Sequence, residues 1–149
     1  MAMIQLPQDF KDFLKLLKSH EVRYLLIGGY AVIYHGFPRA TGDMDIWVAV
    51  SRDNASKLVD VLKDFGFEVP DLSPNLFLEE GKVIRMGLPP IRLKILTSVS
   101  GVSFEECFNS RIVERIDDVE INIISLEFLK KNKKASGRYK DLNDLENLP

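Results

Sequence analysis

The 149 residues carry a formal net charge of −2, with 46% hydrophobic and 28% charged side chains, the composition of an ordinary globular domain. Such a balance excludes a protein that wraps nucleic acid by bulk charge. The apolar runs fall short of the roughly 20 residues that span a bilayer, and the single cysteine, Cys107, excludes an internal disulfide. The length predicts one domain over residues 1–149, with enough core to fold unaided. The opening MAMIQLPQDFKDF has no basic segment followed by an apolar one, which sets the expectation of a cytoplasmic protein.

In chain order, DFKDFLKLLKSH places Phe10, Phe13, Leu14, Leu16 and Leu17 at helical spacing, with Pro7 near the start. VRYLLI reads as a short buried strand, and Gly28-Gly29 turn it straight into an apolar helix, YAVIYHG, closed by Gly36 and Pro38. DMDIWVAV predicts a strand, and SRDNASKLVDVLKDF a helix with Ser51 as N-cap and Gly66 as stop. After FEV and a looser segment with prolines, KVIRMGL and IRLKILTSV read as an antiparallel pair joined by Pro89-Pro90. SFEECFN is a short helix capped by Ser103 with Glu106 three residues on. RIVERIDDVEINII is a hairpin turning at Asp117-Asp118, and SLEFLKKNKK and RYKDLNDLENL close the chain as helices.

The chemistry concentrates between Tyr24 and Val48. Residues i and i+2 of a strand share a face, so Asp43 and Asp45 present their carboxylates together while Met44 and Ile46 point the other way. Two carboxylates so placed suit Mg²⁺, a hard cation that takes one or two carboxylates and completes its shell with water and phosphate oxygens. A Gly28-Gly29 turn at a helix start exposes backbone N–H groups to which a phosphate can come close. Each signal alone also fits a plain turn or a solvated strand face. The GxGxxG spacing of dinucleotide binders and the Gly-Lys-Ser/Thr of a P-loop are both missing.

Taken together, IGGYAVIYHGFPRATGDMDIWV resembles the nucleotidyltransferase superfamily that includes DNA polymerase beta, and within it the small bacterial toxin-type and minimal nucleotidyltransferases. The shared pattern is an apolar strand, Gly-Gly or Gly-Ser, a helix, then Asp-x-Asp on the next strand, and the likeness continues through IRLKILTSVSGVSFEE and KASGRYKDLNDL. The resemblance implies an α/β (α+β) nucleotidyltransferase fold, a small mixed β-sheet flanked by helices. It implies that Gly28 and Gly29 hold a nucleoside triphosphate (NTP), that Asp43 and Asp45 bind Mg²⁺ or Mn²⁺, and that Arg39 and Thr41 lie at the rim of the same site. Arg138 and Lys140, with Asp141 and Asp144, belong to the tail expected to reach the phosphate or the acceptor. The activity implied is transfer of a nucleoside monophosphate to a hydroxyl on a protein, an RNA or a small molecule.

One position departs from this pattern. Where the resembling proteins have a third acidic residue, in a run like Arg-apolar-Asp-apolar-Leu-Thr, this chain has Arg92-Leu93-Lys94-Ile95-Leu96-Thr97. A protonated lysine has no lone pair for a metal, and a unit charge ~4 Å from a dication is opposed by roughly 8 kcal/mol at an effective dielectric near 20. Lys94 is open to pairing with Asp43 or Asp45, to acting as a base, or to a plain surface role; Glu79 and Glu80 are candidates for the missing carboxylate. Three functions therefore stand: the metal-dependent transferase, a degenerate nucleotide binder, and an interaction partner in a toxin–antitoxin-like pair. Lys130, Lys131, Lys133 and Lys134 read as a solvated helix face. His20 reads as an exposed helix end, His35 as a helix cap and Trp47 as core; Cys107 has no catalytic partner in motif spacing.

Overall fold

Phe10, Phe13, Leu14 and Leu17 recur at helical spacing, and all four are fully buried on the inner face of helix α1 (Gln8–Ser19). The computed structural model describes residues 4–67, 70–88, 90 and 92–149. Strand β1 (Tyr24–Ile27) is buried at every position, and helix α2 (Gly28–Tyr34) begins at the next residue, with no loop between. In strand β2 (Asp43–Val48), Met44, Ile46 and Val48 enter the core while Asp43 and Asp45 stay partly exposed. Helix α3 (Arg52–Phe65) is bounded as its sequence requires. The Ser51 hydroxyl accepts the Asn54 N–H at 3.1 Å, and Gly66, at φ 105°, ends the helix in a conformation that side chains disfavour.

A short 3₁₀ turn (Pro74–Phe77) leads to β3 (Val83–Met86), β4 (Arg92–Leu96), α4 (Phe104–Asn109), β5 (Ile112–Ile116), β6 (Val119–Ile123), α5 (Leu126–Ser136) and α6 (Tyr139–Asn147). The connecting Pro89, together with Ile91 and the Glu68 and Val69 of FEV, lies outside the described residues. Ser103 precedes α4 as expected, but its hydroxyl bonds the Glu106 carboxylate at 3.2 Å and caps no backbone N–H.

The six strands form one mixed sheet in the order β3-β4-β2-β1-β6-β5. Antiparallel hairpins make both edges: β3 with β4, and β5 with β6. The second turns at Asp117 and Asp118, both at positive φ (48° and 65°), the backbone that a two-residue turn needs to match strand twist. Parallel pairings join β2 to β4 and β1 to β6, and each takes a long crossover. Helix α1 packs on α3 and β6, α2 on β1 and β2, and α5 on α6. The buried side chains form a contiguous core around Trp47, Phe10, Phe13 and Leu58. Among the described residues no helix is long and apolar enough to cross a membrane.

Candidate functional site

Gly28 takes φ 67°, and its missing side chain makes room for a carboxylate. A Cβ there would lie 2.8 Å from Asp45 Cγ, and one on Gly29 would lie 2.7 Å from Thr41 Cβ. Real Cβ atoms do not approach so closely, so the two glycines let β2 and the loop before it close onto the start of α2. The turn that sequence assigned to phosphate thus has its open sides occupied by Asp45 and Thr41, with Gly29 still lining the cleft beside them.

The parallel register of β2 and β4 sets Arg92 opposite Asp43 and Lys94 opposite Asp45. Arg92 Nε lies 3.1 Å from Asp43 Oδ1, and Lys94 Nζ lies 3.6 Å from Asp45 Oδ2. The inner pair is the drier, with side chains 16% exposed for Asp45 and 22% for Lys94. Burial raises the pKa of Asp45 above the ordinary carboxylate value; the charge of Asp43 adds to the rise, against the pull of Lys94 and Lys140. These four residues line a cleft of about 480 Å³ together with Gly29, Thr41 and Lys140. A second cavity of about 170 Å³ shares Asp45 and Lys94 with it, and its lining also includes Gly28, Ser98, Ser100 and Ser136 and the charged Lys133, Arg138 and Asp141. The sequence-based site residues Gly28, Gly29, Thr41, Asp43, Asp45, Lys94, Arg138 and Lys140 therefore converge on two adjoining cavities.

Arg39 does not line either cavity. Its guanidinium turns to Asp144, donating from Nε to Oδ1 at 2.8 Å and from Nη2 to Oδ2 at 3.0 Å. Lys133, expected on a solvated face, has a side chain only 7% exposed and pairs with Asp144 at 3.0 Å and Asp141 at 3.3 Å. Arg138 completes the chain by donating to Asp141 at 2.7 Å. The reason is spacing: Asp141 and Asp144 stand three apart on α6 and share the face that meets α5, so the lysine at that contact is drawn inward between them. Burial acts to raise the pKa of Asp141, but hydrogen bonds from Arg138 and Ser136 and the charge of Lys133 overcome it and bring it to about 2. Asp144 is likewise lowered, its burial outweighed by Arg39 and Lys133. The helix spacing of the two aspartates was the available signal for this clamp, and sequence reasoning did not connect it to Arg39 or Lys133.

The donor set does not suit a pair of divalent cations. Asp43 and Asp45 are the acidic side chains of the larger cleft, and each already faces a cation from β4. Glu79 pairs with Lys82 at 3.5 Å on the surface, and neither it nor Glu80 borders the cleft. Among the described residues no three His, Cys, Asp or Glu side chains come together as metal ligands. His20 meets Asp64 at 2.8 Å near the surface. His35 ends α2 with its Nε2 2.7 Å from the Ile124 carbonyl oxygen, and Cys107 is buried. None of the three lines either cavity.

No family model and no curated protein matches the sequence. Solved structures match its fold. A protein of Thermotoga maritima, provisionally named a nucleotidyltransferase, superposes with a TM-score of 0.65 at 13% identity, over 93% of this chain and 89% of that one. An antigenic nucleotidyltransferase-like protein of Paracoccidioides brasiliensis superposes with a TM-score of 0.58 at 16% identity, over 99% of this chain and 76% of that one. The six-stranded mixed sheet with its flanking helices is thus a nucleotidyltransferase-type fold.

Proposed function

We propose that this chain binds a nucleoside triphosphate in the cleft between β2, β4 and α6, and does not transfer the nucleotide. The observation that carries the reading is the register of β4, which sets Arg92 and Lys94 against the two carboxylates at 3.1 and 3.6 Å. A cleft so lined offers an anion three cations, counting Lys140, and the backbone beside Gly29. It offers a metal two carboxylates whose charge is already balanced. Thr41 at the rim supplies a hydroxyl for the phosphate or ribose. Incubation with each labelled NTP, Mg²⁺ or Mn²⁺ and cell lysate is the test: the wild-type protein leaves protein, RNA and small molecules unlabelled, while the NTP raises its melting temperature. Label on any acceptor, lost in Asp43→Ala, overturns the reading.

A second reading, metal-dependent transfer to a hydroxyl acceptor, is favoured by one feature. Asp43 and Asp45 do share a strand face at the cleft, as a metal-binding pair requires. It needs the β4 cations to give way to metal, and the same labelling experiment decides between the two.

A further inference from the structure

The pairing of β2 with β4 bears on the form in which a polyphosphate enters the cleft. A triphosphate carries several negative charges and in water is usually accompanied by a divalent cation that neutralises part of them. A cleft lined by carboxylates alone repels the free anion and admits it only with that cation. Here Arg92, Lys94 and Lys140 face Asp43 and Asp45, so the lining cations outnumber the carboxylates by one.

Lys94 is placed where such a charge is most effective. It borders both the 480 Å³ cleft and the 170 Å³ cavity, so a phosphate chain running from one into the other passes its ammonium. The side chain is mostly buried, which strengthens any contact it makes. Its 3.6 Å separation from Asp45 exceeds hydrogen-bond distance, so a small turn of the ammonium brings its donors onto a phosphate oxygen without first breaking a short bond. Beyond Lys94, the smaller cavity adds the hydroxyls of Ser98, Ser100 and Ser136 and the cations Lys133 and Arg138, against the carboxylates of Asp45 and Asp141.

We infer that the cleft takes a nucleoside polyphosphate as the free anion, with no divalent metal, and that Lys94 and Arg92 supply the positive charge a metal would bring; the inference rests on the nucleotide-binding reading above. Mg²⁺ weakens binding here, because it neutralises the ligand and meets carboxylates already paired.

Calorimetric titration with ATP, once in EDTA and once in excess Mg²⁺, tests this on the wild-type protein. ATP is expected to bind more tightly in EDTA than in Mg²⁺; binding in Mg²⁺ that is as tight or tighter overturns the inference and leaves the nucleotide reading standing. No binding in either buffer overturns both. In a folded Lys94→Met variant, affinity in EDTA should fall about tenfold, the loss of one charge-assisted contact. Lys94→Arg should keep most of it. Unchanged affinity in Lys94→Met removes Lys94 from the role. Wherever Lys94→Met does not fold, the comparison of the two wild-type titrations decides alone.

Discussion

Replacing Asp144 with alanine removes the carboxylate that holds α6 to the loop before β2. Its two oxygens take Arg39 at 2.8 and 3.0 Å and Lys133 at 3.0 Å, in a side chain only 1% exposed. Without it, Lys133 keeps Asp141 alone at 3.3 Å and stays enclosed, while Arg39 loses both of its carboxylate contacts. Breaking a buried pair by deleting one partner costs roughly 3–5 kcal/mol, because the surviving charges lose the carboxylate that balanced them. Small domains hold about 5–15 kcal/mol in total, so the variant should be visibly weakened yet still fold. Urea unfolding followed by the fluorescence of Trp47, the sole tryptophan and a buried one, measures the loss. With an m-value near ~2 kcal/mol/M the midpoint should drop by roughly 2 M. A drop of less than about 0.5 M would mean that the pair is worth no more than a surface contact and that Asp144 does not hold α6 in place.

Three further outcomes follow from the same geometry. Gly28→Ala places a Cβ against Asp45 at a left-handed backbone position, and should lower stability by about 2 kcal/mol or more, read as melting temperature; an unchanged melting temperature contradicts the close approach. Asp118→Gly relieves the positive φ of 65° in the β5–β6 turn, and should raise stability by about 0.5–1 kcal/mol; a lower urea midpoint contradicts the turn assignment. Asp141 falls from its ordinary 3.8 to about 2 on folding, which contributes about 2 kcal/mol that is present above pH 4 and lost as the pH falls through about 2. Asp45, raised by burial, has the opposite sign: it favours the folded state below the ordinary carboxylate range, and that contribution is lost as the pH rises through its folded value. Acid titration of stability should therefore be shallower in Asp141→Asn than in wild type, and an equally steep titration contradicts the clamp.

Local signals were the legible part of this chain. Ser51 and Gly66 bracket α3, Pro7 precedes α1, and Asp117-Asp118 mark the last hairpin, because each acts through its own backbone and needs no distant partner. The alternation of β2 showed that Asp43 and Asp45 share a face, and the resemblance supplied the alignment that set Lys94 beside them. Partners chosen by tertiary packing were not legible. Arg39 lies 105 residues from Asp144, and nothing in its neighbourhood announces that its guanidinium pairs with that carboxylate. The four lysines of α5 look alike in sequence; only the docking of α6 singles out Lys133 for burial. The glycine pair does stand at the strand-to-helix junction expected of it, and what demands glycine there is the approach of Asp45 and Thr41.

The ³¹P spectrum of ATP in EDTA, with and without the protein, reads contact with the phosphates directly. If Lys94 and Arg92 hold the phosphates directly, the β and γ resonances should shift or broaden on adding wild-type protein, and the effect should shrink in folded Lys94→Met. A spectrum that the protein leaves unchanged in EDTA, but perturbs once Mg²⁺ is added, would take the phosphates from Lys94 and Arg92 and return the two aspartates to a metal.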